Sequence, residues 1–269
     1  MTEELPSEYL DRFGGIARLY GAKALPRLLN AHIAIIGIGG IGSWTAEALA
    51  RSGVGSITLI DLDEVCVTNV NRQLPAHNGN IGRFKVHAVA ERLRLINPSI
   101  KVYEEVAFFT EKNSSQLLAN NYDCVVDAID DSLQKALLIA TCRDKEIPLV
   151  VVGGAGGKQN PACVSTDDLA FATHDNLLRL VRRDLRSHYQ FPHEEAKAPF
   201  GFRCVFSTEN AKFPWSDGSV RSDPEPRSDL KLDCESGFGT STPVTGTFGF
   251  AAASEAIAEV LTNLDQDSA

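Results

Sequence analysis

The chain has 269 residues, 43% of them hydrophobic, and 35 acidic against 26 basic side chains give it a formal net charge of −9. That length buries one large core or two modest ones. The acidic balance excludes a protein that holds polyanions by its bulk field, so any nucleic-acid partner has to be met by a local patch of Lys and Arg.

Residues 1–31 read as an N-terminal helical arm, helical over 12–30 with Gly21 and Pro26 as punctuation. From 32 to 157 apolar strand-like runs alternate with amphipathic helices. Strands are expected at 32–38, 56–61, 101–106, 123–127 and 148–153, and helices at 43–52, 85–97, 112–120 and 132–145. Such alternation predicts an α/β fold, a Rossmann-like, mostly parallel sheet with helices on both faces. A smaller C-terminal α+β part extends it over 158–269, with a helix at 168–188, a short strand at 202–207 and a last helix at 243–262. The polar stretches 189–199 and 209–232 read as mobile loops placed where a lid or a substrate contact belongs. Gly237 to Leu261 is the one segment hydropathy flags. It carries Pro243, Glu255 and Glu259 and reads as a buried helix rather than a span, so no integral membrane contact is expected.

Six cysteines stand at 66, 124, 142, 163, 204 and 234, none in a C-x-x-C pair, so no zinc is predicted. Cys124 and Cys142 lie in apolar runs and read as buried thiols. Without a disulfide framework or an apolar leader in the acidic N-terminus, a reducing cytoplasm is the expected compartment.

The chemistry begins at Gly37, Gly39, Gly40 and Gly42. They follow an apolar strand and open a helix, where free amides meet phosphate. Asp61 closes the next strand about twenty residues on, the spacing for a ribose ligand. Asp63 reads either as a second nucleotide contact or as a turn residue. A plain dinucleotide fold leaves Asn69, Arg72, Gln73, Lys85 and Asp130 without a task. Arg72 and Lys85 are the natural cations for an α-phosphoryl under attack. Asp130 follows an apolar strand, at the edge where a carboxylate holds Mg²⁺ against phosphates. Asp127 reads as structural and Asp131 as a helix cap. Arg179, Arg182, Arg183 and Arg186 share one helix face, which reads as a solvated face or as a phosphate-contact stripe.

The order Arg12-Phe13-Gly14-Gly15, the glycine loop, Asp61, Asn69-Val70-Asn71-Arg72-Gln73, Lys85, Ile96-Asn97-Pro98 and Asp127-Ala128-Ile129-Asp130 resembles the ubiquitin-activating-enzyme-like superfamily, whose bacterial members include MoeB and ThiF. The paired C-x-x-C motifs usual in those two are absent. Within the superfamily the chain is more similar to the tRNA threonylcarbamoyladenosine dehydratases, through Arg18-Leu19-Tyr20-Gly21, Gly153-Gly154-Ala155-Gly156-Gly157, Cys204 to Glu209 and Asp233 to Gly239. The resemblance implies an ATP- and Mg²⁺-dependent enzyme that adenylates the carboxylate of threonylcarbamoyladenosine in tRNA and closes the ring with loss of AMP. It implies a homodimer in which an arginine of the arm enters the partner's site. Gly15 stands where the arm's second arginine is usual, so Arg12 and Arg18 are the candidates. Lys135 replaces a usual phosphate-contacting arginine. The resemblance also implies a link to a cysteine desulfurase and its sulfur acceptor, which would engage an accessible cysteine such as Cys234. Two other readings stay open: adenylation of the C-terminus of a ubiquitin-like sulfur carrier, and an NAD-binding dehydrogenase or sensor.

Overall fold

His32–Ile36 (β1) is apolar on both faces because it lies in the middle of a sheet covered on both sides. The structure, a computed structural model, describes residues 5–226 and 238–262. Two helices, Ser7–Tyr20 (α1) and Ala24–Asn30 (α2), precede β1. After it come Gly42–Arg51 (α3), Ser56–Ile60 (β2), Lys85–Ile96 (α4), Lys101–Glu105 (β3), Ser114–Leu117 (α5), Cys124–Asp127 (β4), Ser132–Asp144 (α6) and Leu149–Val152 (β5). Then follow Val164–Asp168 (β6), Asn176–His188 (α7), Arg203–Ser207 (β7), the hairpin pair Phe213–Pro214 (β8) and Val220–Arg221 (β9), and Thr242–Leu261 (α8).

Seven strands form one sheet in the order β3-β2-β1-β4-β5-β7-β6. All are parallel except β6, which runs antiparallel to β7 at the edge. One face packs Ile33 and Ile35 against Leu49 of α3, Val89 and Leu93 of α4 and Phe248 and Ala256 of α8. The other packs Ala34, Ile36 and Val125 against Leu138 and Ile139 of α6 and Leu178 and Val181 of α7. Residues on both sides of position 157 therefore share these two apolar layers. α8 lies close on α3 because Gly249 has no side chain: a Cβ there would come within 2.7 Å of Trp44 and 2.8 Å of Ile41 O.

The expected elements of 32–153 appear, with ends shifted by a few residues and α5 shortened to one turn. Pro26 does not break the arm; it sits in the first turn of α2, where no amide is needed. The long helix does not begin at 168, contrary to the periodicity. β6 runs to Asp168, which accepts the amides of Ala170, Phe200 and Gly201, a tie that ends the strand, and a single 3-10 turn at Leu169–Phe171 follows. Asp175 then caps α7 through the Leu178 amide. An edge strand as polar as Val164–Asp168 has no apolar alternation to reveal it. The stretch expected to be mobile at 189–199 is anchored: Phe191 is buried, packs 4.9 Å from Phe200 and lies under the Arg143 guanidinium at 4.6 Å. Among the described residues, no helix is long and apolar enough to cross a membrane.

Candidate active site

The glycine loop leaves the carboxyl end of β1 and turns at Gly37, whose φ is +91°. A Cβ on Gly37 would meet Ala128 O at 2.6 Å, and one on Gly42 would meet Gly37 O at 1.9 Å, so both positions require glycine for the turn itself. The amides of Gly39, Gly40 and Ile41 have no protein acceptor among the described residues. Unpaired N–H groups at the start of a ten-residue helix form a cradle for phosphate.

Asp61 ends β2 beside this loop and is 8% exposed. One oxygen accepts the Ile38 amide at 2.6 Å and the other the Asp63 amide at 2.8 Å. Burial pushes its carboxyl above the ordinary 3.8, while Lys85 and the two amides pull the other way. An aspartate raised in the fold favours folding below its ordinary value, and that share is lost as pH rises through the raised one. A role at a ribose would have the opposite sign, because only the ionised form accepts both hydroxyls. ATP affinity should therefore weaken on acidification sooner than for an ordinary carboxylate; calorimetric titration between about pH 4 and pH 7 checks this, and a flat profile would remove Asp61 from the ribose.

Lys85 opens α4 almost fully buried, with its ammonium 2.7 Å from Asp63 Oδ2. Its backbone N–H also donates to Asp63 O. Asp63 is thus both a turn residue and the partner that aims Lys85. Asn69 closes the next loop by accepting the Cys66 amide at 3.0 Å. Arg72 lies across the glycine loop: a Cβ on Gly40 would stand 3.2 Å from Arg72 Cγ. Its guanidinium donates to Thr68 O and Asn71 Oδ1. Gln73 Nε2 lies 4.0 Å from the Cβ position of Gly39, and its buried Oε1 has no hydrogen-bond partner among the described residues. Asp130 stands exposed just past β4, with no protein partner among the described residues, on the segment that abuts Gly37. Asp131 caps α6 through the amides of Leu133 and Gln134, as expected.

Four residues sequence reading missed hold this arrangement. Trp44 Nε1 donates to Arg72 O, and Ser43 Oγ accepts the Leu74 amide. From the far end of the chain, Thr242 donates to Asn71 O and Thr245 to Arg72 O. Only the glycine-bearing helix itself, Gly246 and Gly249 above all, hinted at the close approach of α8.

Several expected residues lie elsewhere. Lys135 does not face the cleft: it is 0% exposed and pairs with the equally buried Asp127 at 2.8 Å, because α6 turns it into the core. Arg12 and Arg18 stand exposed on α1, whose inward residues Tyr9 and Phe13 pack at Gly53, before β2 and so at the opposite end of the strands. The arginine stripe is not continuous. Arg182 turns to Leu169 O and Arg186 to Pro192 O and over the Phe200 ring, which leaves Arg179 and Arg183 outward. Burial and the neighbouring Arg186 hold Arg182 below its ordinary value. Cys204 is wholly buried, and burial pushes its thiol far up, which removes it as a nucleophile. Cys234 lies outside the described residues. Among the described residues, no cluster of three His, Cys, Asp or Glu side chains could hold a metal.

A doubly wound parallel sheet, a glycine loop with free amides and an acid ending the second strand define a Rossmann-like nucleotide-binding protein. The chain matches the ThiF family over residues 14–268. It is 46% identical over 262 residues to the tRNA threonylcarbamoyladenosine dehydratase of Escherichia coli K12, covering 97% of each chain. The protein of the same name from Haemophilus influenzae is 46% identical over 254 residues, 94% of each. The solved structure of the E. coli dehydratase, TcdA, in complex with ATP superimposes with a TM-score of 0.86 at 42% identity, covering 98% of this chain and 99% of that one. The chain belongs to the ThiF family, among its tRNA threonylcarbamoyladenosine dehydratases.

Proposed function

We propose that this protein uses ATP to adenylate the carboxylate of threonylcarbamoyladenosine in tRNA and then closes that side chain into a ring. The observation that carries the reading is Arg72 laid over Gly40 of a loop with free amides. In the first step a carboxylate oxygen attacks the α-phosphorus and the bond to the β-phosphate breaks, so pyrophosphate leaves. Arg72 and Lys85 are the cations for the charge that gathers on the α-phosphoryl oxygens, and fixed cations there lower the barrier. Gly37, Gly39, Gly40 and Gly42 shape the phosphate cradle, Asp61 takes the ribose, and Asn69 and Gln73, beside Arg72 and the glycine loop, contact the nucleotide. Asp130, an exposed carboxylate without a partner among the described residues, fits one Mg²⁺, a hard cation that needs few protein ligands when phosphates supply the rest. When bound, that ion would neutralise phosphate charge; the residues above do the orienting.

The arm supports a homodimer. Arg12 and Arg18 cannot meet the glycine loop of their own chain, and Leu10, Leu19 and Tyr20 leave apolar surface exposed beside them. One of the two arginines then completes the partner's site. Arg179 and Arg183 are the part of the stripe left for tRNA phosphates. A cysteine desulfurase and its acceptor remain a partner class that rests on family likeness, with Cys234 as its contact. A cytoplasmic setting agrees with the free thiols of Cys124, Cys142, Cys163 and Cys204.

The acceptor distinguishes this reading from adenylation of a ubiquitin-like carrier, which would use the same ATP residues. An NAD-dependent reading leaves Arg72, Lys85 and Asp130 idle. Incubation with ATP and tRNA carrying threonylcarbamoyladenosine should lower the mass of that nucleoside by one water and release AMP. An unchanged nucleoside, with pyrophosphate exchange driven by a peptide ending in Gly-Gly, would overturn it.

A further inference from the structure

Three stretches that resemble the family have no task in the ATP site: Gly153–Gly157, the run ending at Glu209, and the run ending at Gly239. β5 and β7 are parallel to β4, so the loops after Val152 and Ser207 open on the same edge as the glycine loop. Across that edge Asp61 ends β2, the glycine loop ends β1 and Asp130 follows β4. A nucleotide laid from ribose to phosphates in that order leaves the end of β5 as the next position. The acceptor has to arrive there.

The 153–160 loop at that position is held by unusual means. The Gly154 amide donates to Asp175 Oδ2 at 2.8 Å. Glu209 Oε2 accepts the amides of Gln159 and Asn160, both at 2.9 Å. Lys158 is 4% exposed, and its ammonium donates to His174 O and Glu209 O. The Gly157 amide donates to Gly239 O, and its carbonyl accepts from Lys212. Burying an ammonium is costly unless it is fully hydrogen-bonded, so a loop that keeps one has its shape rigidly specified. Burial pulls Lys158 below its ordinary value, while Asp175 and Glu209 hold it up. Within this frame the amides of Ala155 and Gly156 have no acceptor among the described residues, although Ala155 is 7% exposed. Buried amides are rarely left so.

We propose that Lys158 and Glu209 are positioning residues of the ring-closing half-reaction, holding the free amides of the 153–157 loop for the acyl oxygen of the adenylated substrate. This rests on the function proposed above. In that step the internal nucleophile gives an electron pair to the carbonyl carbon and loses a proton to water. The bond from carbon to the AMP oxygen breaks, and AMP leaves with that pair. Charge passes through the acyl oxygen on the way, where fixed N–H donors lower the barrier. Adenylation occurs at phosphorus and does not need them.

The test measures two steps on one preparation. Exchange of labelled pyrophosphate into ATP, dependent on modified tRNA, reports adenylation; the cyclised nucleoside reports ring closure. Lys158→Met and Glu209→Ala should slow ring closure about 10- to 100-fold, while exchange and the KM for ATP stay unchanged. Glu209→Gln, which keeps an oxygen for the two amides, should recover most of the loss. Loss of exchange in proportion to ring closure, or undiminished ring closure, would overturn the proposal. Should Lys158→Met fail to fold, the Glu209→Ala and Glu209→Gln comparison decides alone. Wild-type protein lacking tRNA-dependent exchange would instead sink the proposed function, so the two failures are distinguishable.

Discussion

Arg72→Ala should release pyrophosphate from ATP and modified tRNA about a thousandfold more slowly than the parent, a loss of about 4 kcal/mol of transition-state stabilisation. The size follows from placement. The side chain crosses Gly40 above amides that have no protein acceptor among the described residues, which under the proposed function leaves its charge for a bound phosphoryl group. Among the described residues its guanidinium donates to Thr68 O and Asn71 Oδ1, on the exposed side. The loop itself is held by backbone atoms, through Trp44 and Thr245 on Arg72 O. The melting temperature should therefore stay unchanged. Arg72→Lys should recover little, because a point charge on a flexible stem does not reproduce the planar fork. Turnover retained by Arg72→Ala would remove the residue from the chemistry.

Lys135→Met should have its large effect on stability instead. Asp127 and Lys135 are both wholly buried, and removing the lysine strands a carboxylate in the core. Breaking such a pair costs about 3–5 kcal/mol, which in a chain of this size lowers the melting temperature by about 6–20 °C. Asp127 Oδ2 already has no hydrogen-bond partner among the described residues, and burial pushes its carboxyl up against the pull of Lys135. Asp127→Asn combined with Lys135→Met should regain much of the loss, since no buried charge remains. A Lys135→Met protein with its melting point intact and a raised KM for ATP would restore the phosphate contact that family likeness implied.

The signals that marked the candidate ATP residues in the sequence are local. Gly37 to Gly42 form a tight turn between a strand and a helix, and the two close approaches at Gly37 and Gly42 leave no room for a side chain. Asp61 and Asp130 sit where apolar strands stop, and the end of a parallel strand is a ligand edge whatever follows. Asp131 behaves as the expected cap, within three residues of the amides it accepts. The arginine stripe misled because helical spacing tells which side chains share a face, not which of them bends back. Phe200 and Pro192 come from a segment that the periodicity of α7 knows nothing about, and they take Arg186 inward.

By itself the amino-acid sequence determined the parallel α/β core, the glycine turn, the acids at the strand ends and the family likeness, all of which depend on spacing within one element or between neighbours. Only the tertiary structure decided that Lys135 is spent on Asp127, that β6 is a strand, and that Thr242 and Thr245 steady Arg72 from about 170 residues away. The reason is physical. Burial and long-range hydrogen bonds depend on what lies opposite a side chain after the chain has closed, and no local period carries that information.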